Sequence, residues 1–177
     1  YAEKICSLLE NNIKRCISVV FTFDNNHKII NYDIKLSNVY IIKNVSYDEA
    51  ELYIKSNNTK YNDLIDLWNF MKMYDNTIID THILIEKLMI LCNKTIAEVL
   101  YDYDKKNTIL RIQKEKKKEE INVSDNILNI YLDKKKFNAA IYSFNNDYTN
   151  HYDLNLKYYT HFTSPIRRYI DIINHIN

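Results

Sequence analysis

The residues of this chain best suited to chemistry gather near its C-terminal end. Two adjacent arginines, Arg167 and Arg168, follow Tyr159, His161, Thr163 and Ser164 in one short run. Each guanidinium presents a planar fork of donors that matches a phosphate, and neither loses its charge near neutral pH. The run Tyr159-Thr160-His161-Phe162-Thr163-Ser164-Pro165-Ile166-Arg167-Arg168-Tyr169 also reads as a helix start. Ser164 is a good N-cap, and Pro165 suits the first helical position, where its missing N–H costs nothing. Ile166, Tyr169, Ile170 and Ile173 recur at helical spacing as a face to bury, and Arg167, Asp171 and Asn174 share another. On this reading Arg167 lies in a first helical turn and adds its fork to the free N–H groups there, a phosphate clamp.

A second constellation lies mid-chain, on a helix expected from about Ile79 to Leu100 and capped by Thr77 or Asp80. Ile83, Leu84, Ile85, Leu88, Met89, Ile90, Leu91, Ile96, Val99 and Leu100 make it apolar almost all round, which predicts a central, buried element. His82, Glu86 and Asn93 interrupt it along one stripe that Ala97 extends. A buried carboxylate must be paired, protonated or facing a wet cleft. The residues alone fit a satisfied polar network inside the core as well as a functional cleft.

Other elements must position these two groups. Lys14 to Phe23 and Lys28 to Lys43 are rich in β-type residues around Asp24-Asn25-Asn26-His27, and predict an antiparallel pair. Ser46 and Glu49 form a capping box for a helix from Tyr47 to Ile54. A second helix follows around Asp63 to Met73. Lys114 to Glu120 mixes both charge signs and reads as a solvated loop or helix start. Val123 to Phe144 reads as helical, capped by Ser124, with Lys134, Lys135 and Lys136 on its surface. Tyr152 to Phe162 reads as extended or irregular.

Composition sets bounds. The 177 residues suffice for one domain with a core, and 46% hydrophobic with 27% charged residues fits a soluble globular protein. The net charge of +1 requires any nucleic-acid site to be a local patch. No apolar run approaches the ~20 residues that span a membrane. Tyr1 is no start methionine, and the first residues lack the basic-then-apolar design of a signal peptide. Cys6, Cys16 and Cys92 show no metal-type pairing and read as reduced, buried thiols, which implies an intracellular, cytoplasmic location. Glycine is absent and tyrosine is used 16 times, a bias expected of AT-rich coding. Asn25-Asn26, Asn57-Asn58 and Asn145-Asn146 are expected to take the left-handed turn positions that glycine would fill.

The run from Tyr159 to Tyr169, with Asp171 and His175 after it, resembles the signature of the ribonuclease II / ribonuclease R family, the catalytic RNB domain of 3′→5′ exoribonucleases. Further blocks are similar in family order. Ile5-Cys6-Ser7-Leu8, Lys14-Arg15 and Ile17-Ser18-Val19 match one, and Ser46-Tyr47-Asp48-Glu49-Ala50 another. Asp80 to Asn93 resembles the family's central helix, with Lys87 in place of its second glutamate. Leu110-Arg111-Ile112-Gln113 resembles a Tyr-Arg-Val-His block, with Gln113 in place of histidine. His175 is followed by Ile176 rather than the usual arginine.

The resemblance implies an α+β, RNB-type fold with antiparallel strands near the N-terminus packed with several helices, one of them central and buried. It implies an enzyme that threads single-stranded RNA 3′ end first and uses Mg2+, held by an aspartate cluster, to release nucleoside 5′-monophosphates. It implies that Arg167 clamps the scissile phosphate, that Glu86 contacts the terminal nucleotide, and that Arg168 is a helper or a structural partner of Asp171. Arg168, Tyr159, His161, Thr163, Ser164, Asn93 and His82 would contact RNA. No metal ligands are expected in this chain: the family's aspartate cluster precedes the Cys-Ser-Leu block, and Asp102-Tyr103-Asp104 reads as a surface feature. Residues 1–177 are thus expected to be a partial RNB domain without that cluster or the flanking oligonucleotide-binding domains, with the missing N-terminal part as partner. Three readings follow: a fragment of an active exoribonuclease, a non-catalytic RNA-binding remnant, or an unrelated helical interaction module.

Overall fold

The computed structural model describes residues 6–56, 59–115, 139–144 and 148–176. Two compact units divide the chain, Tyr1–Cys92 and Asn93–Asn177.

The first unit opens with a long hairpin, β1 (Asn12–Phe23) and β2 (Ile29–Ile41), paired antiparallel. Its turn is built on Asp24, whose carboxylate accepts the N–H groups of Asn26 and Lys28. The left-handed position there is His27, at φ 59°, and not Asn25 or Asn26 as expected. Asn11 and Asn155 are the other described residues at positive φ. Asn57-Asn58 and Asn145-Asn146 lie outside the described residues. Directly opposed residues share a face. Ile13, Ile17, Val19 and Phe21 face the same way as their partners Tyr40, Leu36, Ile34 and Tyr32, so one face of the hairpin is mostly apolar, interrupted by the Arg15–Asn38 pair. Much of it is open, with Leu36 86% exposed.

Helix α1 (Tyr47–Lys55) begins at the expected capping box. The Glu49 N–H donates to Ser46 Oγ at 3.2 Å, and the Ser46 N–H to Glu49 Oε2 at 2.9 Å. A 3-10 turn, Thr59–Tyr61, leads into α2 (Asn62–Tyr74). Trp68 and Met71 of α2, Ile78, and Leu84 of the next helix form the core, with Ile54, Phe70, Ile83 and Leu88 against it. The hairpin tip joins this cluster: the Phe23 ring meets Phe70 edge-on at 4.8 Å. Lys87 binds Asp75 at 2.7 Å and, with Thr77, holds that carboxyl at about 2.

Helix α3 runs from Thr81 to Tyr103, three residues past the expected end. Asp80 caps it, accepting the Ile83 N–H at 2.8 Å, whereas Thr77 bonds to Asp75. The helix is less enclosed than its composition implied. Leu84, Leu91, Ile96 and Ala97 are buried, Leu88 to Ile90 are half-buried, and Ile85 is exposed. Cys6 is exposed too, against the expectation of buried thiols. Cys16 and Cys92 are half-buried, and burial pushes the Cys92 thiol up to about 11.

The second unit contains the end of α3, a small antiparallel pair, β3 (Leu110–Ile112) with β4 (Ile141–Ser143), and α4 (Tyr169–Ile176). Ala97, Leu110 and Ile112 form its core, flanked by Tyr101, Tyr148 and Tyr158. The helix expected from Val123 to Phe144 lies mostly outside the described residues, but Ile141–Ser143 is strand, pinned by pairing with β3. Lys134, Lys135, Lys136 and most of the Lys114–Glu120 run are also outside them. From Tyr152 to Phe162 the chain is turn, bend and irregular backbone, as expected. No helix among the described residues is long and apolar enough to cross a membrane.

The capping box yields a direct check. Ser46→Ala removes one side of a reciprocal pair on a helix with no buried residue, and should cost about 1 kcal/mol in chemical denaturation. A loss below roughly 0.3 kcal/mol would mean that α1 is held by packing, not by its cap.

Candidate nucleic-acid interface

In the second unit, side chains of α3 and α4 hold the segment Tyr159–Ser164. Asn93 of α3 accepts the Phe162 N–H at 3.0 Å and donates to the Tyr159 hydroxyl at 3.1 Å. Asn174 of α4 donates to the Thr160 hydroxyl at 2.9 Å and to the His161 carbonyl at 2.8 Å. His175 Nε2 donates to the Phe162 carbonyl at 2.8 Å, which places its proton on that nitrogen. From the sheet side, Arg111 of β3 donates its backbone N–H to the Tyr159 carbonyl at 2.7 Å, and Thr160 donates to the Ile109 carbonyl at 2.7 Å. Each such bond contributes about 1 kcal/mol net, and a buried polar group left unpaired costs more.

Asp171 closes the segment. It is completely buried, and its Oδ1 accepts the Ser164 N–H at 2.7 Å. Arg168 meets the same carboxylate with a two-pronged fork, Nε to Oδ2 at 2.8 Å and Nη2 to Oδ1 at 2.7 Å. Of the two roles considered for Arg168, the structural one is what its contacts describe.

The helix start differs from the expectation. Pro165, Ile166 and Arg167 form a turn in which the Ser164 carbonyl accepts from both Arg167 and Arg168 at 3.2 Å, and α4 begins only at Tyr169. Ser164 is therefore not the N-cap, and Arg167 is not in a first helical turn. The buried face is inverted as well. Asp171 and Asn174 are buried, Ile170 and Ile173 are half-buried, and Ile166 and Tyr169 are exposed, Tyr169 by 76%. Asp171 and the amide nitrogen of Asn174 find partners on the irregular segment there. Arg167 is exposed, and among the described residues no carboxylate lies within ion-pair distance of it.

Around His161 the chemistry is aromatic and cationic. Its Nδ1 bonds the Tyr142 hydroxyl, and its ring meets Tyr159 edge-on at 5.6 Å. Arg111, opposite Tyr142 across the β3–β4 pair, sets its guanidinium 5.3 Å from the Tyr142 ring centre. Burial and the positive charge of Arg168 and Arg111 lower the His161 pKa to about 4, so the ring is neutral at physiological pH. Burial raises the Tyr159 phenol above its ordinary value. Thr163 lies at 3.4 Å from Arg168 Nη2.

In the first unit, His82 stacks on Tyr47 with ring centres 3.9 Å apart, and both are exposed. Glu86 is exposed, not buried, so it needs no interior partner. The stripe read along α3 is thus split between exposed His82 and Glu86 and buried Asn93 and Ala97. Gln113, where a histidine was expected, exchanges two bonds with Asp153 at 2.6 and 2.8 Å. Asp102 is exposed, and the neighbouring Asp104 caps the turn after α3 by accepting the N–H groups of Lys106 and Asn107. Among the described residues no three His, Cys, Asp or Glu side chains come together to hold a metal ion.

The model of the RNB domain family matches residues 1–78 and 62–177. The chain belongs to the RNB domain family. Ribonuclease R of Chlamydia pneumoniae is 64% identical over 33 residues, 19% of this chain and 5% of that protein. RNase R of Mycoplasma genitalium in its apo form superposes with a TM-score of 0.75 at 20% identity, over 98% of this chain and 38% of that one. Its complex with ribose-methylated single-stranded RNA gives 0.74. Yeast Ssd1, a pseudonuclease, gives 0.75 at 18% identity, over 98% of this chain and 30% of its own. The chain therefore spans well under half the length of these RNB proteins, and the fold alone accommodates nucleases and a pseudonuclease.

Arg111, Tyr142 and the positioning role of Asn174 were missed from the sequence. Arg111 and Tyr142 meet only through strand pairing across a gap of thirty residues in sequence. Asn174 had a signal: an amide three residues after Asp171, inside a run of isoleucines.

The histidine's environment sets a pH dependence. A folded-state pKa near 4 against an ordinary 6.5 means that the unfolded chain binds the proton more readily between those values. The stabilisation is complete above about pH 6.5 and is lost as pH falls toward 4; His151, lowered mainly by burial, adds in the same sense. NMR titration of the His161 ring should show a midpoint near 4. A midpoint near 6.5 would mean that the ring is solvated and free of its arginine neighbours.

Proposed function

We propose that this RNB-family chain carries the phosphate clamp and 3′-end contacts of a 3′→5′ exoribonuclease acting on single-stranded RNA. The observation that carries the reading is Arg167: an exposed guanidinium without a carboxylate partner among the described residues, next to an arginine whose charge Asp171 neutralises. A phosphate gathers negative charge during hydrolysis, and a preplaced cation binds that state better than the ground state. Glu86 is proposed to contact the terminal nucleotide. His82, Asn93, Tyr159, His161, Thr163 and Ser164 are proposed to line or support the RNA path. Asn93 and Tyr159 would act by shaping the segment, since their side-chain polar groups are engaged there, and Ser164 is tied to Asp171 through its backbone N–H.

The described residues do not fit a Mg2+ ion, which needs several clustered oxygen ligands. No metal-dependent step is assigned to them, and the ligands are proposed to come from the remainder of a complete RNB domain. The open apolar face of the β1–β2 hairpin supports this, because such a face needs a covering layer of polypeptide. A second reading, a non-catalytic RNA-binding member of the family, draws its support from the likeness in fold to yeast Ssd1, a pseudonuclease.

Kinetics of the complete enzyme separate the two readings. Arg167→Ala should slow release of nucleotides by on the order of a hundredfold while RNA affinity changes far less. The 177-residue chain alone should release none with Mg2+. Equal losses of rate and affinity would assign Arg167 to positioning only. Robust Mg2+-dependent release by the chain alone would reveal metal ligands that the present reading lacks.

A further inference from the structure

We propose that an apolar cleft of the second unit, between β4 and the start of α4, receives the face of a nucleobase of the bound RNA. The cleft encloses about 400 Å³ and is lined by Ile109, Tyr142, Phe144, Arg168, Tyr169 and Ile170. The inference rests on the reading of Arg167 as a phosphate clamp and extends it from the backbone to the bases.

Three aromatic rings open onto one cleft, and Phe144 and Tyr169 are largely exposed, 68% and 76%. Single exposed aromatics are ordinary, but three around one depression form a patch with a binding chemistry. Flat π-faces beside a guanidinium are what a stacked base requires, and stacking is tolerant of base identity. Tyr142 is held ready: its hydroxyl bonds neutral His161, and Arg111 lies over its ring. Little of the ordering cost then falls on the moment of binding.

Charge favours RNA over an apolar peptide as the occupant. Arg168, in the wall, is neutralised by Asp171. Arg111, over the Tyr142 ring, and Arg167, beside Arg168 in sequence, have no carboxylate at ion-pair distance among the described residues. An apolar floor with unneutralised arginines close by suits a ligand that alternates flat rings with anions.

The test compares two oligomers of equal length, a fluorescein-labelled oligouridylate and its abasic ribose-phosphate counterpart, by fluorescence anisotropy with the 177-residue chain. The base-bearing oligomer should bind roughly tenfold tighter. Tyr169→Ala should shrink that ratio to about twofold or less, while Tyr169→Phe keeps it. Phe144→Ala is a second, equally exposed probe, and neither truncation removes a buried group. Equal affinity for the two oligomers, with Arg167→Ala weakening both, would overturn the base cleft and leave the clamp standing. If neither oligomer binds, both proposals fall. A ratio untouched by Tyr169→Ala and Phe144→Ala, with self-association lost instead, would assign the patch to protein contacts and overturn the proposal.

Discussion

Asp171 is a carboxylate with no exposed surface, and the cationic end of the second unit depends on it. Its two oxygens accept from Ser164 N and from two nitrogens of Arg168. Removing a carboxylate from water costs several kcal/mol, and only close, charge-assisted partners offset that loss. A surface pair contributes at most about 1 kcal/mol, whereas breaking a buried one by removing a partner costs about 3–5 kcal/mol. The constraint therefore acts on geometry. Ser164 must come to Asp171, and the turn through Arg167 must let Arg168 fold back.

That constraint separates two neighbouring arginines. Arg168 has its charge engaged in the interior, while Arg167 remains exposed. Asn93, Asn174 and His175 extend the same logic along Tyr159–Phe162, giving backbone groups partners that a regular strand would have supplied. The result is an irregular segment held by polar side chains on two helices, which is how a rigid site can be made without glycine.

Local signals were legible where local physics decides. The Ser46 capping box, the hairpin around Asp24 and the Asp80 cap of α3 follow from neighbours a few residues away. The turn from Pro165 to Arg167 was not legible. Ser164 and Pro165 carry every mark of a helix start, but a carboxylate seven residues on takes the Ser164 N–H, and the helix begins later. Burial of Asp171 and Asn174 in place of Ile166 and Tyr169 was hidden for the same reason: periodicity predicts which face is apolar, not which has partners waiting. Glu86 shows the converse, since an apolar helix made its burial expected and α3 leaves it exposed. Strands of three residues, such as Ile141–Ser143, carry almost no pattern and owe their form to pairing.

The central claim is that Arg168 supports the fold and Arg167 meets the anion. Binding of single-stranded RNA across a salt series, together with denaturation of the same variants, tests it most directly. Arg167→Ala should lower the slope of log affinity against log salt by about 0.7, the value for one phosphate contact, and leave stability nearly unchanged. Arg168→Ala should cost about 3 kcal/mol of stability by stranding Asp171. An unchanged salt slope in Arg167→Ala, or a Arg168→Ala protein of full stability that loses the phosphate contact instead, would contradict the account.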